Sequence, residues 1–129
     1  MVKRTITVIV IAALLLTLGI VEGIVVNNFI VKLDSDVEAL IPLYEENKDD
    51  ITVLTNRASE IEARWDKNEQ ILCLMFNHKD IGVLTDTMTR LVEYTKQNNY
   101  DDAIVEVNIL KEYTEKNHTI MGCNIHNIL

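Results

Sequence analysis

The residues with the widest chemical reach are three histidines, His78, His118 and His126, and two cysteines, Cys73 and Cys123. Cys123-x-x-His126 near His118 is the only group with ligand-like spacing. A structural zinc site takes four such ligands, usually in tight pairs. Here the fourth would have to be His78 or Cys73, both distant in sequence, so the reading is scattered polar residues in a loop and tail. His78 sits beside Asn77 at an expected helix start, where capping and hairpin packing account for it. The alternative is a pH-sensitive contact, since histidine titrates near neutrality, but the sequence supplies no partner. Trp65, the sole tryptophan, falls on an apolar stripe at helical spacing, where a large aromatic packs rather than stacks on a ligand.

Carboxylates come in pairs: Glu45/Glu46, Asp49/Asp50 and Asp101/Asp102. Neighbouring positions on a helix do not face one another, so these pairs lack the convergence that acid–base work requires. There is no calcium loop of the Asp-x-Asp-x-Asp-Gly type. Catalytic serine or cysteine signatures and glycine-rich phosphate loops are also missing. Asn117-His118-Thr119 matches a glycosylation triplet, a chance match if the chain is bacterial. The expectation is therefore a protein that is not an enzyme. No catalytic, cofactor-binding or metal-ligating residue is assigned, and no cofactor.

The elements that carry these residues begin with an apolar run. Ile6 to Val21 holds no strongly polar side chain except Thr7 and Thr17, behind Lys3 and Arg4. A hydrocarbon core of about 30 Å takes roughly 20 helical residues, so the span needs Gly23-Ile24-Val25-Val26 as well. Glu22 then lies near the outer interface, where a carboxylate stays wet; at the bilayer centre a charge costs about 2.5 kcal/mol or more. Asn27-Asn28 mark the return to water. A secretory signal peptide shares the basic start and apolar core. The length of the run, the lack of a small-x-small site after it and the lack of a nearby cysteine favour retention. A prepilin reading fails because Glu22 follows the run. Lys3 and Arg4 place the N-terminus in the cytoplasm and residues 27–129 outside. The expected organisation is an anchor at 1–26 and an acidic extracytoplasmic helical domain at 27–129.

Of 20 acidic residues only Glu22 precedes position 27, leaving 19; of 12 Lys and Arg, Lys3 and Arg4 do, leaving 10. A formal charge near −9 on the outer domain argues against nucleic acid. It also argues against the domain lying flat on anionic lipid. Past residue 26 only Pro42, Gly82 and Gly122 punctuate the chain, which disfavours a sheet domain. The apolar spacing is helical. A first stripe carries Phe29, Leu33, Val37, Leu40 and Tyr44. It either continues the membrane helix or restarts at a capping box, Ser35 with Glu38, and Pro42 should kink or weaken it. A second stripe carries Ile51, Leu54, Ala58, Ile61, Trp65, Leu72 and Met75. Asn77 with Asp80 opens a third helix, with Ile81, Leu84, Met88, Leu91 and Thr95. After Asn98 to Asp102 a fourth carries Ala103, Val107, Leu110 and Tyr113, widened by Ile104. Beyond Asn117 an irregular tail is expected. Asn47-Lys48-Asp49-Asp50-Ile51 is echoed in Asn99-Tyr100-Asp101-Asp102-Ala103, which suggests two hairpins in tandem. No full repeat signature accompanies the echo. Cys73, in the run Ile71 to Phe76, reads as a buried free thiol; outside the membrane it could instead pair with Cys123.

In order and spacing, the basic start and apolar anchor, Trp65-Asp66-Lys67-Asn68, Leu74-Met75-Phe76-Asn77-His78-Lys79-Asp80-Ile81 and the terminal Asn127-Ile128-Leu129 resemble domain of unknown function 4363. That is a family of small single-pass proteins found mainly in Gram-positive spore-forming bacteria. The resemblance implies an all-helical, membrane-tethered domain and carries no activity. The fold expected is all-α: an N-terminal transmembrane helix followed by a small antiparallel bundle of two helical hairpins. The function expected is that of a non-enzymatic accessory protein at the cell membrane, binding another membrane or envelope protein and no nucleic acid. The contact surfaces would be the outward faces of helices two to four and the apolar tail. The alternative is a ligand-sensing outer domain that works through a partner subunit, because Met1 to Arg4 is too short to signal.

Overall fold

The computed structural model describes residues 1–128, with side chains described through Lys116. The described residues form four helices and no strand: α1 Val2–Glu46, α2 Ile51–Met75, α3 His78–Lys96 and α4 Tyr100–Ile128. The all-α expectation holds, with a long apolar helix leading into a helical bundle.

α1 is continuous over 45 residues, about 68 Å at 1.5 Å per residue. It neither pauses at Asn27-Asn28 nor restarts at Ser35, which is exposed. Pro42 lies inside it. The ring costs a backbone bond one turn back, yet Pro42 faces solvent while Leu40 and Tyr44 are fully buried, and that burial carries the helix to its end. Asn47 closes it: both its backbone N–H and its side-chain amide donate to the Leu43 carbonyl at 3.0 Å.

Turns of a few residues force successive helices antiparallel. α3 is flanked by α2 and α4, α1 packs chiefly against α4, and α1 touches α2 more lightly. Each turn has its chemistry. Asp50 caps α2 by accepting from the Val53 N–H at 3.3 Å, and Asn77 caps α3 by accepting from the Lys79 N–H at 2.9 Å. Asn98 adopts φ 57°, a left-handed turn that asparagine tolerates, and Asn99 accepts from the Asp102 N–H at 3.4 Å. The sequence echo is thus not a structural one. Asp50 is a cap outside its helix, whereas Asp102 lies in the first turn of α4.

Along α3, all five residues of the expected stripe are buried, joined by Thr87 and Val92. α4 buries Ala103, Val107 and Leu110 as expected, with Tyr113 half-buried. The expected stripes of α1 and α2 need correction. In α1 the packed side chains are Val26, Ile30, Leu33, Val37, Leu40 and Tyr44, with Phe29 only half-buried. Phe29 lies beside the seam, its ring 6.2 Å from that of Trp65. In α2, Ile51 is half-buried and Met75 is 44% exposed. These two residues stand at the ends of the helix, where no neighbouring helix covers both sides. Cys73 is free and half-buried against the core rather than enclosed. α4 runs on to Ile128 where an irregular tail was expected. One glycine, worth about 1 kcal/mol against alanine, and a few polar residues do not stop a helix that is already propagating.

Candidate functional site

Two features stand out from ordinary packing: a set of polar links inside the bundle, and an unpacked apolar surface on α1.

The polar links join helices pairwise. Asp36 of α1, 9% exposed, accepts from two arginines of α2. Arg57 Nη2 reaches its Oδ1 at 2.9 Å, and Arg64 Nη1 bonds its Oδ2. Arg57 also meets Glu60 at 3.0 Å. Arg90 of α3 forks onto Glu106 of α4, Nε to Oε1 at 3.0 Å and Nη2 to Oε2 at 3.3 Å. That carboxylate holds the Arg90 pKa above its ordinary value. Thr114 of α4 donates to Asp34 of α1 at 3.0 Å. Trp65 Nε1 donates to Thr85 at 2.8 Å, and the Thr85 hydroxyl donates to Glu69 at 3.1 Å. The Tyr44 hydroxyl lies 2.6 Å from Thr95 Oγ1, which itself donates to the Leu91 carbonyl at 2.7 Å. The Thr95 proton is therefore committed, and Tyr44 is the donor. Burial raises the Tyr44 pKa. On the α2 surface, burial and the nearby Asp66 carboxylate raise the Glu62 pKa.

Of the described residues that the sequence singles out for chemistry, Trp65 is the one these links include. Trp65 is fully buried and tied to α3, a core residue. His78 is the exposed first residue of α3, and the cap is Asn77. Glu45, Glu46, Asp49, Asp101 and Asp102 are exposed and form no convergent pair. His118, Cys123 and His126 lie outside the described side chains. Among the described residues, no three His, Cys, Asp or Glu gather into a metal-holding group. Asp36 and Glu106 were missed because a carboxylate counts as polar in a stripe. The available signal was their spacing: Asp36 is three residues from Leu33, and Glu106 is three from Ala103. Among the described residues, two hollows flank the bundle. The one lined by Tyr44, Ile51, Thr95 and Tyr100 has about 10 Å³ for a water centre, and the one between Val26, Phe29, Asn68 and Leu72 has none. One water needs about 10–15 Å³, so neither admits an organic ligand.

The apolar surface is larger. Along α1, side chains from Ile6 to Val25 are exposed almost without interruption, and burial begins at Val26. This helix is long and apolar enough to cross a membrane, and none of its most apolar stretch is buried in the protein. A core helix of a soluble protein with that composition would be covered. Residues 24–128 match the model of DUF4363, a domain of unknown function. The chain belongs to that family. The DUF4363 segment starts within two residues of the first buried side chain, so it coincides with the bundle and leaves out the bare part of α1. No curated protein and no solved structure matched the chain.

Proposed function

We propose that this is a single-pass accessory protein of the cell membrane, non-enzymatic, whose outer bundle binds another membrane or envelope protein. The observation that carries the reading is the bare apolar half of α1, joined without a break to a compact acidic bundle. Residues 5–26 of a helix span about 33 Å, which fits a hydrocarbon core. Lys3 and Arg4 precede the span and favour a cytoplasmic N-terminus, with residues 27–129 outside. Anchoring confines the bundle to the membrane plane and raises its effective concentration toward partners there. Inside the bundle the polar groups tie helix to helix, which supports a role in contact rather than chemistry. The two hollows among the described residues are too small to support a ligand-sensing role.

Val105, 52% exposed on α4, and Val53, 40% exposed on α2, are apolar positions on the outward faces. A photoreactive residue at each, in the full chain in its native membrane, should trap a discrete membrane or envelope protein from at least one. Deleting Asn124 to Leu129 should weaken that complex if the C-terminal end takes part. Absence of any discrete adduct from either position, with the protein abundant in the membrane, contradicts the partner reading.

A further inference from the structure

α2 runs back toward the membrane and delivers its last turn to the level at which α1 enters it. Val25, Val26 and Phe29 of α1 line the same hollow as Asn68, Ile71 and Leu72 of α2, so Ile71 stands beside Val25. Met75 lies four residues further along α2, about 6 Å closer to the N-terminal end of α1. That is the level of Val21 and Glu22, within the outer end of the proposed span.

The side chains there are those of an interface rather than of a water-facing turn. Leu74 is 80% exposed, Met75 44% and Ile71 40%. These three neighbours in sequence are uncovered at one end of an otherwise well-packed bundle. Charge is sparse at the same end, where Glu22 and Glu69 border the apolar stretch. Gln70 to Asn77 holds none, nor does Gly23 to Val31, in a chain with 32 charged residues among 129. The first charges beyond the turn are Lys79 and Asp80, of opposite sign. Asn77 and His78, polar and exposed, follow the apolar tip. Acidic residues elsewhere oppose a bundle lying flat on anionic lipid, but an end-on contact leaves them in water.

We propose that the α2–α3 turn is a second membrane contact, with Leu74 and Met75 seated in the outer lipid interface beside the α1 span. The occupant of this apolar patch is the bilayer itself, because the patch is continuous with Val25 on the membrane helix and lies at its depth. This proposal rests on the anchoring proposed above. Its consequence is that the bundle stands on the membrane by two points and is fixed end-on, with the outward faces of α2 and α4 held upright.

The test uses the full chain with Cys73→Ala and Cys123→Ala, reconstituted in phosphatidylcholine vesicles. An environment-sensitive fluorophore is attached to one new cysteine at a time: Ile11→Cys in the span, Leu74→Cys at the turn and Val53→Cys at the far end of α2. Lipids carrying a spin label near the headgroup or deep in the chain serve as quenchers. The expected result is quenching at Ile11 chiefly by the deep label, quenching at Leu74 chiefly by the shallow one, and no loss at Val53. Quenching at Ile11 with Leu74 as bright as Val53 overturns the second contact and leaves the anchor standing. A blue-shifted but unquenched probe at Leu74 also overturns it, since protein and not lipid would cover the patch. Equal quenching at Leu74 and Val53 overturns the end-on arrangement. Failure to quench Ile11 overturns the anchor and the second contact together.

Discussion

Replacing Trp65 by alanine should strongly destabilise the bundle. The indole is fully buried, touches Phe29 across the α1–α2 seam and bonds Thr85 on α3. Removing a buried large aromatic costs about 3–5 kcal/mol, transfer and cavity terms together. The lost hydrogen bond leaves little extra penalty, because Thr85 keeps Glu69 as its acceptor. A domain of this size has a stability of about 5–15 kcal/mol, and each kcal/mol moves its midpoint by about 4–8 °C. The expected fall is therefore at least 12 °C or so, read by the far-ultraviolet circular dichroism of the full chain in detergent. Trp65→Phe separates the two contributions. It keeps most of the packing and should cost roughly 1–3 kcal/mol, for the smaller ring and the lost donor together. An alanine variant melting within a few degrees of the parent would refute the placement of Trp65 at the centre of the core.

Three further outcomes follow from the polar links. Asp36→Ala strands Arg64 and leaves Arg57 with Glu60; both arginines are about a third exposed and can turn to water, so the loss should be about 1–3 kcal/mol rather than that of a fully buried pair; denaturant melts showing no loss would contradict the link. Tyr44→Phe removes a buried donor whose acceptor keeps its own bond to Leu91, and should cost about 0.5–1.5 kcal/mol by the same melts; an unchanged midpoint counts against the bond. The folded-state pKa of Glu62 is raised, mainly by burial, so the folded chain binds more protons there than the unfolded one and stability falls as pH rises from the ordinary glutamate range through that raised value. Glu62→Gln should accordingly melt higher than the parent at neutral pH, with the difference shrinking on acidification; a lower midpoint at neutral pH would reverse the sign.

How much of this could be read from the sequence varied with local pattern. α3 was fully legible because Ile81, Leu84, Met88, Leu91 and Thr95 alternate strictly and polar residues fill most of the gaps. The start of the α1 seam was not. From Ile24 to Val31 only Asn27 and Asn28 interrupt the apolar residues, so periodicity cannot say which face packs, and the choice of Val26 and Ile30 over Phe29 is made by neighbouring helices. The buried carboxylates Asp36 and Glu106 escaped notice because their partners lie on other helices, at separations no local rule reaches. The length of α4 is not legible, because turn-prone residues after Asn117 read as a stop whereas a formed helix propagates through them. The bare half of α1 was visible from the first. The structure added that it runs unbroken into the bundle.

The most direct test of that account is orientation combined with retention. Val53→Cys, on a chain lacking Cys73 and Cys123, should react with a membrane-impermeant maleimide in intact cells, and the labelled protein should sit in the membrane fraction at the mass of the uncleaved chain. Labelling only after lysis, or a mass short of the apolar segment, would contradict it.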